Sequence, residues 1–323
     1  MLHKAVIING FPGCGKTMLS PIISQFDRVE IMQYAPLIEQ MCELWGLDSI
    51  DEDVAKSMIK MNADMLIYNI TMGRNSNCRP SDLSSIFKHK PLTHIRRMLA
   101  PGDLSIPDIV RKNKPILHLT THVLLPYAEL LFNAFGDKLV FIEVVRHPLY
   151  TIIQLESNLR RVGEVGDPRV QHIRYTFHQK EYQWNWRGME DMYNIGNSYE
   201  RAIYTIDQYY SEIFSNNRAS LTIYFEKFVK SPENYLNKFS SLLGSDINKN
   251  VRKEMKRQKV PRTKLADGPS LDIYIRCGWV PPKFYSEEEE LNARRELVKK
   301  NVSTDALALL DSICNKYEKL NMH

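Results

Sequence analysis

Four short runs of apolar and β-branched residues along the chain predict the strands of one sheet. They cover residues 4–9, 115–122, 138–146 and 221–225. Between the second and third runs, residues 125–135 repeat apolar side chains at helical spacing. Strands that alternate with helices in this way are typical of an α/β fold whose central sheet is mainly parallel.

Residues from about 36 to 114 follow a different pattern. They are predicted to be largely helical, with breaks at the Pro-Gly pair 101–102 and at Pro107. We interpret this stretch as a helical cap or insertion beside the first strand–helix unit. The predicted fold is a single three-layer α/β domain over residues 1–323, with a central mainly parallel sheet and this helical insertion.

Composition and charge exclude several classes of protein. Of the 323 residues, 43% are hydrophobic and 25% are charged, which is typical of a globular chain and not of a disordered one. No apolar stretch approaches the roughly 20 residues that span a bilayer, and no signal peptide is evident, so no membrane contact is expected. Five cysteines without a C-x-x-C pair favour a reducing, cytoplasmic location.

The excess positive charge is concentrated in one segment. Residues 249–264 carry eight Lys or Arg side chains and one acid, whereas the net charge of the whole chain is +5. A local basic segment suits a small anionic ligand better than a long nucleic-acid track. We therefore expect no nucleic-acid partner, and a solvated helix face explains the segment equally well.

The first predicted strand runs directly into Gly10-Phe-Pro-Gly-Cys-Gly-Lys-Thr17, which matches the phosphate-loop pattern G-x-x-x-x-G-K-T in full. Glycines allow successive backbone N–H groups to surround phosphate oxygens, and the following helix presents the positive end of its dipole. Lys16 adds a positive charge and Thr17 a hydroxyl. The loop predicts a P-loop fold that binds a phosphate-bearing nucleotide.

The loop alone leaves the reaction open. A kinase needs Mg²⁺, which is usually held by the loop hydroxyl of Thr17 and by an acid at the end of another strand. The predicted strands end instead in His122 and Arg146, while Glu226 follows the fourth strand and Glu143 lies inside the third. This pattern counts against a kinase without excluding one.

Several segments together resemble the sulfotransferases that use 3′-phosphoadenosine 5′-phosphosulfate (PAPS). Residues 11–17 resemble the family's 5′-phosphosulfate loop, and residues 119–126 its Thr/Ser-His-Leu-Pro segment. Residues 144–149 resemble the Arg-x-Pro start of the 3′-phosphate site, and residues 222–233 the Tyr-Glu-Asp-Leu element. Arg276-Cys-Gly278 stands at the place of the family's late Arg-Lys-Gly.

The resemblance implies PAPS as the cofactor, a small-molecule acceptor and no metal. It implies His122 as the catalytic base and Lys16 as a group that stabilises charge in the transition state. The cofactor-binding residues that it implies are Gly13, Cys14, Gly15, Lys16, Thr17, Met18, Arg146, Gln154, Phe225, Arg276, Cys277 and Gly278.

The chain also departs from the family pattern. Gly13 stands where the family has the loop lysine, and Lys16 stands where it has threonine. Gln154 replaces a serine, and Cys277 replaces a lysine. The alternatives are a small-molecule or nucleotide kinase that uses ATP and Mg²⁺, and a non-catalytic nucleotide-binding protein. The identity of the acceptor, hydroxyl or amine, and the oligomeric state stay open; a homo-oligomer is compatible with the sequence.

Overall fold

The computed structural model describes residues 1–100, 102–164, 172–215, 218–265 and 286–322. Its strands are β1 (Lys4–Asn9), β2 (Gln33–Tyr34), β3 (Ile116–Thr120), β4 (Leu139–Val145), β5 (Arg174–Phe177), β6 (Lys180–Gln183) and β7 (Leu221–Tyr224). Five of them form a parallel sheet in the order β2-β3-β1-β4-β7, and β5 and β6 form a separate antiparallel hairpin.

The helices account for most of the remaining described chain. They are α1 (Lys16–Ile23), α2 (Pro36–Gly46), α3 (Glu52–Met72), α4 (Pro91–Leu99), α5 (Ile106–Asn113), α6 (Ala128–Phe135), α7 (Pro148–Glu164), α8 (Glu190–Ile195), α9 (Ser198–Ser215), α10 (Phe225–Lys230), α11 (Glu233–Leu243), α12 (Lys249–Arg257), α13 (Glu287–Lys299) and α14 (Thr304–Met322). None of these helices combines the length and apolar character that crossing a bilayer requires.

Helices flank the sheet, which confirms the three-layer α/β fold that the sequence predicts. Helix α3 packs with α2, α5 and α6, whereas α7 packs with α9 and α14. Strands β3 and β4 are buried along their whole length, as is β1 after its first residue. Burial on both faces explains why these strands read as continuous apolar runs in the sequence.

All four predicted strands are present within two residues of their predicted bounds. The sequence did not reveal β2, which has only two residues and lies at the edge of the sheet. Between β2 and β3 the described chain is mainly helical, from α2 to α5. Treating this stretch as an insertion into a single domain stays a prediction.

The strand register brings the carboxyl ends of the strands to one edge of the sheet. Ile8 pairs with Thr120 of β3, and Asn9 pairs with Glu143 of β4. The segments that follow these strands therefore meet at this edge, which is where parallel α/β sheets bind ligands.

Candidate active site

The phosphate loop (residues 10–17) joins β1 to α1 and packs closely against two other elements. Gly13 and Gly15 have φ angles of 88° and 110°, in the region that favours glycine. A Cβ atom added to Gly15 would lie 2.2 Å from the ring of Phe225, and one added to Gly13 would lie 2.7 Å from Oε1 of Gln154. The loop conformation and its close contacts thus both require glycine at these positions.

Lys16 places its positive charge inside the loop. Its side chain is buried, and Nζ donates hydrogen bonds to the carbonyl oxygens of Gly10 and of Phe11, the latter at 2.9 Å. The ammonium group is thus held where it can turn toward an anionic ligand in the loop.

Arg146, the residue after β4, is fixed against the same loop. Its Nη1 donates a 2.9 Å hydrogen bond to the carbonyl of Gly13. Its guanidinium carbon lies 4.4 Å from the ring centre of Phe225 and 4.7 Å from that of Tyr150. Contacts with two aromatic rings stabilise a guanidinium group and fix the direction of its donors.

The structure brings together most of the residues that the resemblance implies. Gln154 and Phe225 touch the glycines of the loop, as described above. Cys14 within the loop and Met18 just after it are buried, and Thr17 is exposed at the start of α1. Burial raises the pKa of the Cys14 thiol, which therefore stays protonated at neutral pH. Residues 276–278 (Arg276, Cys277 and Gly278) lie outside the described residues.

A hydrogen-bonded network beneath the loop joins the ends of β1, β3 and β4. Asn9 donates to Glu143 and to the Tyr209 hydroxyl, both at 2.7 Å. Its Oδ1 accepts hydrogen bonds from Thr121 at 3.0 Å and from the backbone N–H of Leu124 at 3.1 Å. This network sets the relative positions of the loop and of the segment that carries His122.

His122 follows β3 and is held by Glu39 of α2. Oε1 of Glu39 accepts the backbone N–H of His122 at 2.9 Å and approaches Nδ1 at 3.2 Å. Because a carboxylate only accepts hydrogen bonds, this contact assigns the ring proton to Nδ1 and leaves Nε2 as the acceptor. Glu39 is a candidate site residue that sequence reasoning missed, since no local pattern links positions 39 and 122.

The surroundings of His122 keep its imidazole neutral at pH 7. Burial lowers its pKa, the positive charge of Lys16 lowers it further, and Glu39 opposes both effects. About a third of the side chain remains exposed, and the ring of Tyr34 stacks at 6.5 Å. A neutral, partly exposed imidazole whose Nε2 makes no hydrogen bond to the described residues can accept a proton from a bound molecule.

One group of side chains among the described residues has the spacing of metal ligands. Candidate ligand atoms of Glu39, Glu43 and His172 lie within 4.8 Å of one another. Hydrogen bonds account for the Glu43 end of this group, since Glu43 accepts from Nδ1 of His172 at 2.6 Å and from the backbone N–H of Ile173 at 2.7 Å. We therefore assign no metal to the group.

The two strands beside β1 do not end in an acid. Strand β3 leads through Thr121 to His122, and β4 leads directly to Arg146. Glu143 lies inside β4 and is fully buried in the network with Asn9 and Tyr209. The edge of the sheet therefore presents a base and a cation beside the phosphate loop.

Comparisons with known proteins give weak similarity to sulfotransferases. No protein-family model and no curated protein matches the chain. Sulfotransferase STF9 from Mycobacterium avium is 12% identical with a TM-score of 0.42, and the match covers 100% of this chain and 77% of that one. The sulfotransferase domain of the Synechococcus PCC 7002 olefin synthase is 12% identical with a TM-score of 0.38, covering 91% and 94%.

A third similar structure is mouse sulfotransferase SULT7A1 complexed with PAP. It is 11% identical with a TM-score of 0.33, and the match covers 97% of this chain and 90% of that one. All three TM-scores lie below 0.5, a level at which structural similarity does not indicate function.

Proposed function

We propose that this chain is a sulfotransferase that moves a sulfuryl group from PAPS to a hydroxyl or amine of a small-molecule acceptor. The observation that carries the proposal is the fixed position of Arg146 against Gly13 of the phosphate loop. Arg146 gives the site a second cation beside Lys16. A nucleotide that carries phosphate groups on both the 3′ and the 5′ position of its ribose needs two such cations. A guanidinium group suits phosphate because it can donate two parallel hydrogen bonds.

The loop and Lys16 would bind the 5′-phosphosulfate. Backbone N–H groups of the loop and the Lys16 ammonium would stabilise the charge that grows on the bridging oxygen as the S–O bond to the phosphate breaks. Arg146 and Gln154 would hold the 3′-phosphate, and the amide of Gln154 can donate a hydrogen bond to it. The ring of Phe225 would keep Arg146 in place.

His122 would act as the general base. Its Nε2 would accept the proton of the acceptor hydroxyl or amine while the acceptor atom forms its bond to sulfur. Glu39 would be a positioning residue that keeps the Nδ1 proton in place and stabilises the imidazolium that forms. The chemistry needs no metal ion.

The competing function is a phosphotransferase that uses ATP and Mg²⁺. Lys16 and the exposed Thr17 hydroxyl favour this function, because a lysine followed by a threonine ends the ATP-binding loop of such enzymes. It is opposed by His122 and Arg146 at the strand ends where a kinase would carry an acid for Mg²⁺.

Thermal stabilisation by nucleotides separates the two functions. We would measure melting with 3′,5′-adenosine bisphosphate and with ATP, each with and without Mg²⁺. A ligand at 100 times its Kd adds about 2.7 kcal/mol, which shifts melting by a few degrees. Stabilisation by the bisphosphate without Mg²⁺ supports sulfuryl transfer, whereas stabilisation by ATP only with Mg²⁺ would favour the kinase.

Arg146→Ala should weaken the binding of the bisphosphate selectively. Loss of hydrogen bonds to a charged group costs about 1.5–3 kcal/mol, or roughly a 10- to 150-fold loss of affinity. We expect 5′-AMP, which lacks the 3′-phosphate, to lose less than about threefold. Arg295→Ala is the control for the loss of an arginine, because Arg295 forms an ion pair with Asp311. Equal losses for both nucleotides would refute the role of Arg146.

Glu39→Gln should lower kcat by roughly 10- to 150-fold, since it removes the negative charge that strengthens the hydrogen bond to the imidazolium in the transition state. Glu39 raises the pKa of His122, so the variant should also lose activity at a lower pH than the wild type. The pH profile of kcat is the readout, because a merely structural role would leave its midpoint unchanged. Glu129→Gln, at an exposed ion pair with Arg218, is the control.

The proposal includes a cytoplasmic setting. Cys14, Cys42, Cys78 and Cys314 are free thiols in the described part of the chain, as a reducing compartment allows.

A further inference from the structure

Glu143 is a buried carboxylate that the proposed chemistry does not use. It is fully buried in β4, opposite Asn9 of β1. Its Oε2 accepts a hydrogen bond from Asn9 at 2.7 Å, and its Oε1 accepts one from the Tyr209 hydroxyl at 2.8 Å. A carboxylate without contact with water is stable as an anion only if nearby groups compensate its charge.

The phosphate loop lies directly over this carboxylate. A Cβ atom added to Gly10 would be 3.4 Å from Oε1 of Glu143. The ammonium of Lys16 is bonded to the carbonyls of Gly10 and Phe11, in the same part of the loop. From this position the positive charge of Lys16 lowers the pKa of Glu143.

In the described part of the chain, the other groups that contact Glu143 are uncharged. Asn9 is uncharged, and burial raises the pKa of both the Tyr209 hydroxyl and the Cys14 thiol, which keeps them protonated at neutral pH. Burial raises the pKa of Glu143 to about 7, although the hydrogen bonds from Asn9 and Tyr209 and the charge of Lys16 act to lower it. Moving the Lys16 charge away, or bringing an anion closer, raises that pKa further.

We infer that a phosphate-bearing nucleotide entering the loop causes Glu143 to take up one proton from solvent. The ligand draws Lys16 from the carbonyls of Gly10 and Phe11 toward its own phosphate and adds negative charge above Gly10. The proton binds to a carboxylate oxygen of Glu143, which becomes neutral. The Tyr209 hydroxyl can accept a hydrogen bond as well as donate one, so it can pair with either form of Glu143.

This inference rests on the proposed nucleotide binding at the loop, and it makes Glu143 part of the binding machinery. In the pH range where Glu143 is ionised in the free protein and neutral in the complex, the affinity for the nucleotide falls as the pH rises, by up to tenfold per pH unit. The phosphate groups of the nucleotide contribute few protons to this exchange at pH 8, because the second pKa of a phosphate monoester is about 6.

The test is isothermal titration of 3′,5′-adenosine bisphosphate at pH 8 in two buffers with different ionisation enthalpies. The difference in heat gives the number of protons taken up, which we expect to be about 0.5–1 for the wild type. Glu143→Gln should take up almost none, and its affinity should be nearly constant from pH 7 to 8.5. Glu254→Gln, which changes a buried carboxylate on α12, should behave as the wild type.

The possible outcomes separate this inference from the proposed function. Failure of the wild type to bind the bisphosphate would overturn the loop assignment and the inference with it. Binding without proton uptake, or uptake that persists in Glu143→Gln, would overturn the inference alone. If Glu143→Gln does not fold, Tyr209→Phe replaces it: loss of its hydrogen bond raises the pKa of Glu143, so the pH range over which the proton is taken up should move to higher pH. An unchanged pH range in that variant would also overturn the inference.

Discussion

Replacing His122 with glutamine is expected to lower kcat for sulfuryl transfer by about 10²- to 10⁴-fold, the usual contribution of a general base. Glutamine can keep a hydrogen bond with Glu39 but cannot accept a proton at neutral pH. The measurement is transfer of labelled sulfate from PAPS to acceptors found in a screen of alcohols and amines.

The pH profile gives a second readout of the same group. Because the pKa of His122 is lowered, the imidazole stays neutral as the pH falls through 6.5, and kcat should decline only below that value. The affinity for 3′,5′-adenosine bisphosphate should be unchanged in His122→Gln, and the exposed His178→Gln serves as the control. A His122 variant with full activity would remove the general base from the mechanism.

Replacing Lys16 with alanine is expected to affect both binding and catalysis. Loss of its hydrogen bonds to phosphate should lower nucleotide affinity by roughly 10- to 150-fold. Loss of a donor to the developing charge should lower kcat by a further 10²- to 10³-fold. Calorimetry with the bisphosphate and the transfer assay measure the two effects separately.

A control variant accounts for the change in net charge. Lys56→Ala removes a lysine that pairs with Glu52 and Asp53 on α3, away from the loop, and should bind nucleotide as the wild type does. Unchanged nucleotide affinity in Lys16→Ala would show that the loop is not the phosphate site.

The sequence predicted the parts of the fold that depend on neighbouring residues. Strands β1, β3, β4 and β7 are short runs of apolar or β-branched residues, and the loop is set by the spacing of its glycines, so both are visible locally. Strand β2 has two residues and no such run. Its place at the sheet edge depends on pairing with β3, which is a tertiary contact.

The candidate site could be predicted only in part. The phosphate loop, Arg146, Gln154 and Phe225 form a group around Gly13 and Gly15, as the resemblance to sulfotransferases implies, while their roles stay predictions. The partners of the proposed general base and of the buried carboxylate were not visible in the sequence. Glu39 and His122 are 83 positions apart, and Asn9 and Glu143 are 134 apart. The Asn9–Glu143 contact arises when β1 and β4 take their register, and the Glu39–His122 contact arises when α2 packs beside the end of β3.

The placement of Arg146 between Phe225 and Tyr150 has a consequence for how the site distinguishes its ligands. Immobilising a long side chain on binding costs about 0.5–1.5 kcal/mol, and here that ordering takes place when the chain folds. The guanidinium group is preorganised, so a ligand meets a donor at a fixed distance from the loop. Under the proposed function, selection among nucleotides depends on the distance between their phosphate groups rather than on their total charge.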